Sequence, residues 1–158
     1  MTDFAPLLSA SCDDITKLRY PLLASPKLDG IRCVKLNGKA LTRKLKPVPN
    51  HFVRNWIEQN LPDGIDGELM LRDRTLPFEK VSSAIMSHDG EPDFVFMAFD
   101  ILGNPYYSDD STRFTVAPNR PFNLRLAELS AVCIGPDRVQ VVPHTLCVAA
   151  HELFSVME

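Results

Sequence analysis

The sequence predicts an α+β domain in which mixed and antiparallel sheets pack against helices. Hairpins are interleaved with helical stretches along the chain, which differs from the strict strand–helix alternation of a βαβ repeat. The length of 158 residues suits one domain with one sizeable core. Hydrophobic residues make up 45% and charged residues 23% of the chain, as is usual for globular proteins. Fibrous and wholly disordered classes are therefore excluded.

Turn, cap and periodicity signals predict the individual elements. Asn37-Gly38 is the strongest hairpin signal, because both turn positions tolerate positive φ. Asn50 is placed to cap a helix that carries Phe52 and Trp56 on its apolar face with Val53 and Ile57. The predicted strands cover residues 22–25, 31–36, 39–43, 67–71, 94–102 and 138–142. The predicted helices cover residues 51–60, 78–87, 121–133 and 148–158, and a loop covers 103–119. We expect the strand at 94–102 to be wholly buried.

Several protein classes are excluded by simple features. The longest apolar run, at residues 94–99, is far shorter than the roughly 20 residues of a membrane span, so no membrane partner is expected. Met1-Thr2-Asp3-Phe4 lacks the basic start of a signal peptide. The cysteines are too widely spaced for a zinc knuckle, and we interpret them as buried free thiols in a reducing compartment. They are Cys12, Cys33, Cys133 and Cys147. A cytoplasmic location is expected.

Charge is distributed unevenly along the chain. Residues 1–60 contain ten Lys or Arg against five Asp or Glu, whereas residues 61–158 contain seven against fifteen. Residues 27–54 hold eight basic side chains and one acidic side chain, Asp29. The basic residues are Lys27, Arg32, Lys35, Lys39, Arg43, Lys44, Lys46 and Arg54. This basic stripe indicates either a local anion-binding surface or the solvated face of a hairpin.

The segment Lys27-Leu28-Asp29-Gly30-Ile31-Arg32 combines a lysine, an Asp-Gly turn and an arginine. Pro26 favours extended backbone before it, so Lys27 is expected to leave a strand and enter a turn. The planar fork of Arg32 suits a phosphate or a sugar. A nucleophilic lysine must first lose its proton, and neighbouring cations or a bound metal favour that loss. Taken alone, a lysine two residues before an Asp-Gly pair favours an exposed turn with a solvated lysine over a catalytic site.

The same segment resembles the first motif of covalent nucleotidyltransferases: ATP-dependent DNA ligases, RNA ligases and mRNA-capping guanylyltransferases. Three further segments follow in the order of that family: Thr42-Arg43, Asp66-Gly67-Glu68-Leu69-Met70 and residues 96–102. Residues 21–87 are most similar to the small ATP-dependent DNA ligases of viruses and phages, and the likeness extends weakly to residue 158. The resemblance implies a nucleotidyltransferase (adenylation) domain with an ATP-grasp-like fold.

The resemblance also implies a three-step reaction at a nick in duplex DNA. Lys27 attacks the α-phosphate of ATP, the adenylate moves to the 5′-phosphate, and the 3′-hydroxyl displaces AMP. Asp29 either assists these steps or only shapes its turn. ATP is expected rather than NAD, because 26 residues are too few for the extra module before the lysine of NAD-dependent ligases. GTP is disfavoured by the closer match to phage ligases.

The remaining roles follow from the same resemblance. Arg32 holds the ribose or a phosphate of the nucleotide, and Glu68 contacts the ribose or Mg²⁺, the alternative being an exposed strand carboxylate. Phe99 stacks on adenine. Without the resemblance, its position in an apolar strand would assign it to the core. Asp66 either belongs to the site or only shapes its turn. Asp100 requires a partner, a metal or a backbone group because it interrupts an apolar strand. The expected DNA-phosphate contacts are Arg43, Lys44 and Lys46.

The family's fourth motif, its fifth motif and its OB-fold domain are not found in the sequence. Residues 1–158 are therefore expected to be the N-terminal portion of an adenylation domain, acting as a monomer on nicked duplex DNA. Two alternatives stay open: a relative that acts on RNA ends or caps, and a non-catalytic nucleic-acid-binding remnant that uses the basic stripe.

Overall fold

The computed structural model of the chain describes residues 8, 10–102 and 120–157. The predicted loop at 103–119 lies outside the described residues. The chain divides into two compact units, a smaller one formed by Met1–Leu28 with Val142–Glu158 and a larger one formed by Asp29–Val141. The division falls within the Lys27–Arg32 segment, so the two units are described separately.

A single 3-10 turn, Ile15–Lys17, precedes the strands and helices. The strands are β1 Leu22–Ala24, β2 Ile31–Leu36, β3 Lys39–Thr42, β4 Ile65–Leu71, β5 Phe94–Ile101, β6 Val139–Val141 and β7 Thr145–Cys147. The helices are α1 His51–Asn60, α2 Phe78–Met86, α3 Phe122–Val132 and α4 Ala150–Met157. The predicted bounds agree with these to within two residues at nearly every end.

The larger unit is built on a five-stranded sheet with the order β3-β2-β4-β5-β6. Neighbouring strands are antiparallel from β3 to β5, whereas β5 and β6 are parallel and α3 lies between them in the sequence. The mixed sheet with packed helices confirms the predicted α+β class. A parallel pair requires a long connection, which the segment between β5 and β6 supplies.

Local signals explain where the first elements begin and end. Asn37 and Gly38 have φ values of 50° and 73°, and they join β2 to β3 in the predicted hairpin. Oδ1 of Asn50 accepts a hydrogen bond from the backbone amide of Val53 at 2.9 Å, which satisfies one of the free donors at the start of α1. Helix α1 therefore starts at His51, as predicted.

One face of the five-stranded sheet carries the apolar core. Val53 and Ile57 of α1 are fully buried with Phe94 and Phe96 of β5, and Leu129 of α3 joins them. The rings of Phe52 and Trp56 meet Phe94 edge to face, at centroid distances of 6.1 and 5.6 Å. Since side chains alternate between the faces of a strand, every second residue of β2, β4 and β5 faces away from this core. The candidate site lies on that second face.

The smaller unit contains a two-stranded antiparallel sheet, in which Leu22 of β1 is opposite Cys147 of β7, and helix α4 packs against β7. Strand β7, which is separated from the end of β6 by only three residues, was not predicted. No helix in the described part of the chain combines the length and the apolar character needed to cross a bilayer.

Two predictions about burial were partly wrong. Strand β5 is not wholly buried, because Phe99 and Asp100 at its end are only half-buried. The four cysteines are free thiols, but Cys12 is exposed and Cys133 is half-buried, while Cys33 and Cys147 are buried. Apolar composition predicts burial of a strand on average, whereas its last residues follow the local packing.

Candidate nucleotide site

The Lys27–Arg32 segment and the Asp66–Met70 segment meet at Gly30. The backbone amide of Gly30 donates a hydrogen bond to Oε1 of Glu68 at 3.2 Å, and Ile31 is directly opposite Leu69 in the sheet. A Cβ atom at position 30 would overlap the carbonyl oxygen of Leu69 and Sδ of Met70. Only glycine therefore permits the close approach of β2 and β4 at this point.

Arg32 and Asp66 form a two-pronged ion pair on the face away from the core. Nε of Arg32 lies 2.6 Å from Oδ1 of Asp66, and Nη2 lies 2.7 Å from Oδ2. Asp66 is only 3% exposed, and burial raises the pKa of its carboxyl group in spite of the opposing contacts with Arg32. Asp66 therefore does more than shape a turn, because its carboxylate holds the guanidinium group of Arg32 in position.

Phe99 occupies a β-bulge next to this ion pair. Gly67 is opposite Ala98 and Asp66 is opposite Asp100, so Phe99 is the extra residue of β5. Its half-buried ring lies under Arg32, whose Cζ atom is 4.5 Å from the ring centroid. Phe99 lies outside the apolar core cluster. The ring therefore lies on the same face of the sheet as Arg32 and Glu68.

Gly67 allows the strands to approach beside the bulge. A Cβ atom there would overlap the ring of Phe96 and the carbonyl oxygen of Met97. The Asp-Gly pairs of the two motif segments, Asp29-Gly30 and Asp66-Gly67, thus have one physical explanation. In each, a neighbouring strand occupies the space that a side chain would need.

Asp100 is paired with Arg125, which meets the need for a partner that its position in an apolar strand predicted. Nε and Nη2 of Arg125 lie 2.7 and 3.0 Å from its two carboxylate oxygens, and Oδ1 also accepts from the backbone amide of Ile101. Sequence reasoning predicted that Asp100 needed a partner but did not identify Arg125. No local pattern links the two, because they are 25 residues apart and belong to different elements.

Lys27 and Asp29 lie on either side of the division between the two units. Lys27 belongs to the smaller unit, where it is exposed in the loop that follows β1. Asp29 is the first residue of the larger unit and is also exposed. The structure brings Arg32, Glu68 and Phe99 together on one face, and the roles of Lys27 and Asp29 stay predictions.

The basic stripe is not one continuous surface, which corrects the sequence interpretation. Lys35 is buried, and its Nζ donates to the carbonyl oxygens of Glu58 and Leu61 at 2.8 and 2.6 Å. It therefore caps the C-terminal end of α1, where cations are favoured. Arg32 is likewise engaged, with Asp66.

The predicted DNA-contact residues lie on the surface of the larger unit. Arg43, Lys44 and Lys46 are all exposed in the segment between β3 and α1. A tight turn shapes this segment, since the amide of Leu45 donates to the carbonyl of Thr42 and the amide of Thr42 donates to the carbonyl of Lys46. The three cations thus lie exposed within one four-residue stretch, and their contact with DNA phosphates stays a prediction.

Arg74 was not singled out from the sequence. It lies in the connection between β4 and α2, and its Nη2 is 2.8 Å from Sδ of Met97, which is directly opposite Glu68. Partial burial lowers the pKa of Arg74. An arginine in a surface connection gives no sequence signal that it will fold back over a sheet.

The described residues contain no cluster of three or more His, Cys, Asp or Glu side chains that could hold a metal ion by themselves. Magnesium at nucleotide sites is typically bound by one or two carboxylates together with substrate phosphates. Glu68 supplies one half-buried carboxylate directly opposite Arg32 in the sheet, so its chemistry fits such a shared site.

Comparison with protein-family models and with curated proteins gives no match. Solved structures do match. A Chlorella virus DNA ligase-adenylate aligns with a TM-score of 0.76 and 25% identity over 96% of this chain and 53% of that one. A Lig E DNA ligase aligns with a TM-score of 0.65 and 23% identity over 99% of this chain and 56% of that one. The ATP-dependent DNA ligase of bacteriophage T7 in complex with ATP aligns with a TM-score of 0.59 and 18% identity over 86% of this chain and 52% of that one.

The chain therefore spans about half the length of the ligases that it matches. The match covers nearly all of this chain, including both units. The similarity to small viral and phage ligases that the motifs indicated is confirmed by the fold. The chain has the adenylation-domain fold of the ATP-dependent DNA ligases that it resembles.

Proposed function

We propose that residues 1–158 are the N-terminal portion of the adenylation domain of an ATP-dependent DNA ligase. One observation carries this proposal: Arg32, Glu68 and Phe99 share one face of the sheet, and Gly30 of the Lys27–Arg32 segment is hydrogen-bonded to Glu68. Lys27 precedes Gly30 by only three residues in the sequence. The similarity to a ligase-adenylate at 25% identity supports the same assignment.

In the proposed reaction, Phe99 stacks on the adenine and Arg32 holds the ribose or a phosphate. The uncharged amine of Lys27 attacks the α-phosphorus of ATP. A P–N bond forms, the bond to the bridging oxygen of the β-phosphate breaks, and pyrophosphate leaves with that electron pair. The nitrogen gives up its remaining excess proton to solvent. The adenylate then passes to a 5′-phosphate, and a 3′-hydroxyl displaces AMP to seal the strand.

Glu68 is the carboxylate that we propose for Mg²⁺, and it would share the ion with the phosphates of ATP. When bound, the ion supplies positive charge that offsets the negative charge of the triphosphate. The hydrogen bond from Gly30 would keep the Glu68 carboxylate in place, and Asp29, next to that glycine, is a second polar group at the same end of β2.

The proposed partner is nicked duplex DNA, bound by Arg43, Lys44 and Lys46. Their exposure supports contact with phosphates, which makes the affinity strongly dependent on salt. We also propose a monomer in the cytoplasm. The four free thiols support a reducing compartment, since disulfides are rare there.

Covalent labelling tests this proposal. The chain is incubated with Mg²⁺ and with ATP or GTP labelled at the α-phosphate, and acid-labile label on the protein is measured. Lys27→Arg, which keeps the charge but removes the nucleophile, should abolish the label. The matched control, Lys17→Arg, changes another exposed lysine of the same unit and should leave the label unchanged.

The pattern of labelling separates the alternatives. Label from ATP supports a ligase, and comparison of transfer to nicked DNA and nicked RNA then identifies the substrate. Label from GTP would instead indicate a capping enzyme. Absence of label, together with salt-dependent DNA binding, would overturn the enzymatic proposal in favour of a non-catalytic nucleic-acid-binding protein.

A further inference from the structure

Two carboxylates face each other beside the β-bulge. Asp66 of β4 and Asp100 of β5 are directly opposite in the sheet register. Like charges placed directly opposite on neighbouring strands repel each other. The charge of Asp100 accordingly adds to the effect of burial in raising the pKa of Asp66. This pair of aspartates is compatible with folding only if both negative charges are compensated.

Each aspartate has its own arginine, held with similar geometry. Arg32 binds both oxygens of Asp66 at 2.6 and 2.7 Å, and Arg125 binds both oxygens of Asp100 at 2.7 and 3.0 Å. The charges of these four residues sum to zero, and Glu68 adds a further negative charge that acts on Arg32. Arg32 belongs to the sheet, but Arg125 comes from the first turn of α3, outside every segment that resembles a motif.

We propose that Arg125 is a positioning residue for the nucleotide site, because by neutralising Asp100 it leaves Arg32 to Asp66 and so holds Arg32 over Phe99. This inference rests on the proposed function, in which Arg32 and Phe99 bind the nucleotide. Asp100 is close enough to contribute to the electrostatic environment of Arg32. Without Arg125, two aspartates would compete for one guanidinium group, and its position over the ring would change.

The chain offers a matched control at the other end of β5. Arg138 binds Asp93 at 3.0 Å, and its side chain is 22% exposed, the same as that of Arg125. Both guanidinium groups also lie over phenylalanine rings. Arg125→Met and Arg138→Met each remove an ion pair of an arginine with the same exposure, but only the first is adjacent to the bulge, and Asp93 keeps Arg72 as a partner after the second.

The first measurement is the dependence of lysine–AMP formation on ATP concentration. Arg125→Met should raise KM for ATP about tenfold, as expected when a charged hydrogen bond is misaligned, with a smaller change in kcat. Arg138→Met should leave KM unchanged. Arg125→Lys should restore most of the affinity, and so should the double variant Asp100→Asn with Arg125→Met, because it removes the competing charge.

The second measurement needs no activity: the NMR resonance of the Nε–H group of Arg32, which donates to Asp66. The chemical shift of this resonance should change in Arg125→Met and return to the parent value in the double variant. In Arg138→Met it should be the same as in the parent. An unchanged resonance and KM in Arg125→Met would overturn the inference, as would a defect that Asp100→Asn does not relieve. If the parent chain forms no lysine–AMP, the proposed function fails, and the Arg32 resonance still decides whether Arg125 positions Arg32.

Discussion

The backbone amide of Gly30 and the carboxylate of Glu68 are joined by a hydrogen bond of 3.2 Å. The two residues are 38 positions apart in the sequence, and the bond links the segment that contains Lys27 to strand β4. Glu68 therefore has two separable properties: an oxygen that accepts a hydrogen bond and a negative charge that can meet a cation.

Substitutions at Glu68 should separate these properties. Glu68→Gln keeps an acceptor oxygen, so thermal unfolding should change little, whereas adenylation should fall steeply because the charge is lost. Glu68→Ala should lose the same activity and in addition about 1 kcal/mol of stability, the usual value of a hydrogen bond. Glu79→Gln, at an exposed position of α2, is the control. Full activity in Glu68→Gln would rule out a role for the charge.

Phe99→Ala should weaken ATP binding without unfolding the protein. Stacking of a base on an aromatic ring is worth about 1–3 kcal/mol, so the Kd for ATP should rise by about 5- to 150-fold. Phe96→Ala, at a fully buried position of the same strand, should instead lower the free energy of unfolding by about 3–5 kcal/mol. Calorimetric titration with ATP and urea unfolding measure the two effects. Equal loss of stability in both variants would place Phe99 in the core.

Substitution of Lys35 should affect stability, whereas substitution of Lys44 should affect DNA binding. Lys35→Ala should lower the free energy of unfolding by about 1–3 kcal/mol, because two carbonyl groups at the end of α1 lose their donor. Its affinity for DNA should not change. Lys44→Ala should keep the stability but bind DNA more weakly, with a salt dependence reduced by about one counterion. Urea unfolding and fluorescence anisotropy at several salt concentrations distinguish the two.

The ion pairs of Asp93 should contribute to stability at neutral pH and lose that contribution in acid. Hydrogen bonds and charge from Arg72, followed by those from Arg138, lower the pKa of the Asp93 carboxyl group. Its contribution is thus complete above the unfolded value of about 3.9 and disappears as the pH falls through the lower folded value. Asp93→Asn should be less stable than the parent at pH 7 and equal to it in strong acid. A pH-independent difference would contradict this.

Cysteine labelling should follow burial. Cys12 is exposed and should react with iodoacetamide at pH 7, whereas Cys33 and Cys147 should react only after unfolding. Burial raises the pKa of Cys133 to about 11, so its reaction should accelerate only in strongly alkaline solution. Mass spectrometry of each peptide over a pH series gives the order. In Cys12→Ser, the native chain should remain unlabelled at pH 7.

Local sequence determined the elements of this protein. The φ values at Asn37 and Gly38, the Asn50 cap and the bounds of α1 follow from residues within a few positions of one another. The motif segments were recognisable for a similar reason, since each depends on a fixed spacing within a short stretch. The glycines of these segments were also recognisable from the sequence. The reason for them is the close approach of a neighbouring strand, which is visible only in the sheet.

The tertiary structure decided which charged side chains face the site. Lys35 and Arg32 belong to one basic run and even to one strand, yet the first caps a helix and the second holds Asp66. Alternation along β2 and the bulge at Phe99 set these directions, and both depend on pairing with residues more than 30 positions away. A sequence specifies its turns through neighbouring residues, whereas the partner of a buried charge is selected by the strand or helix that packs beside it.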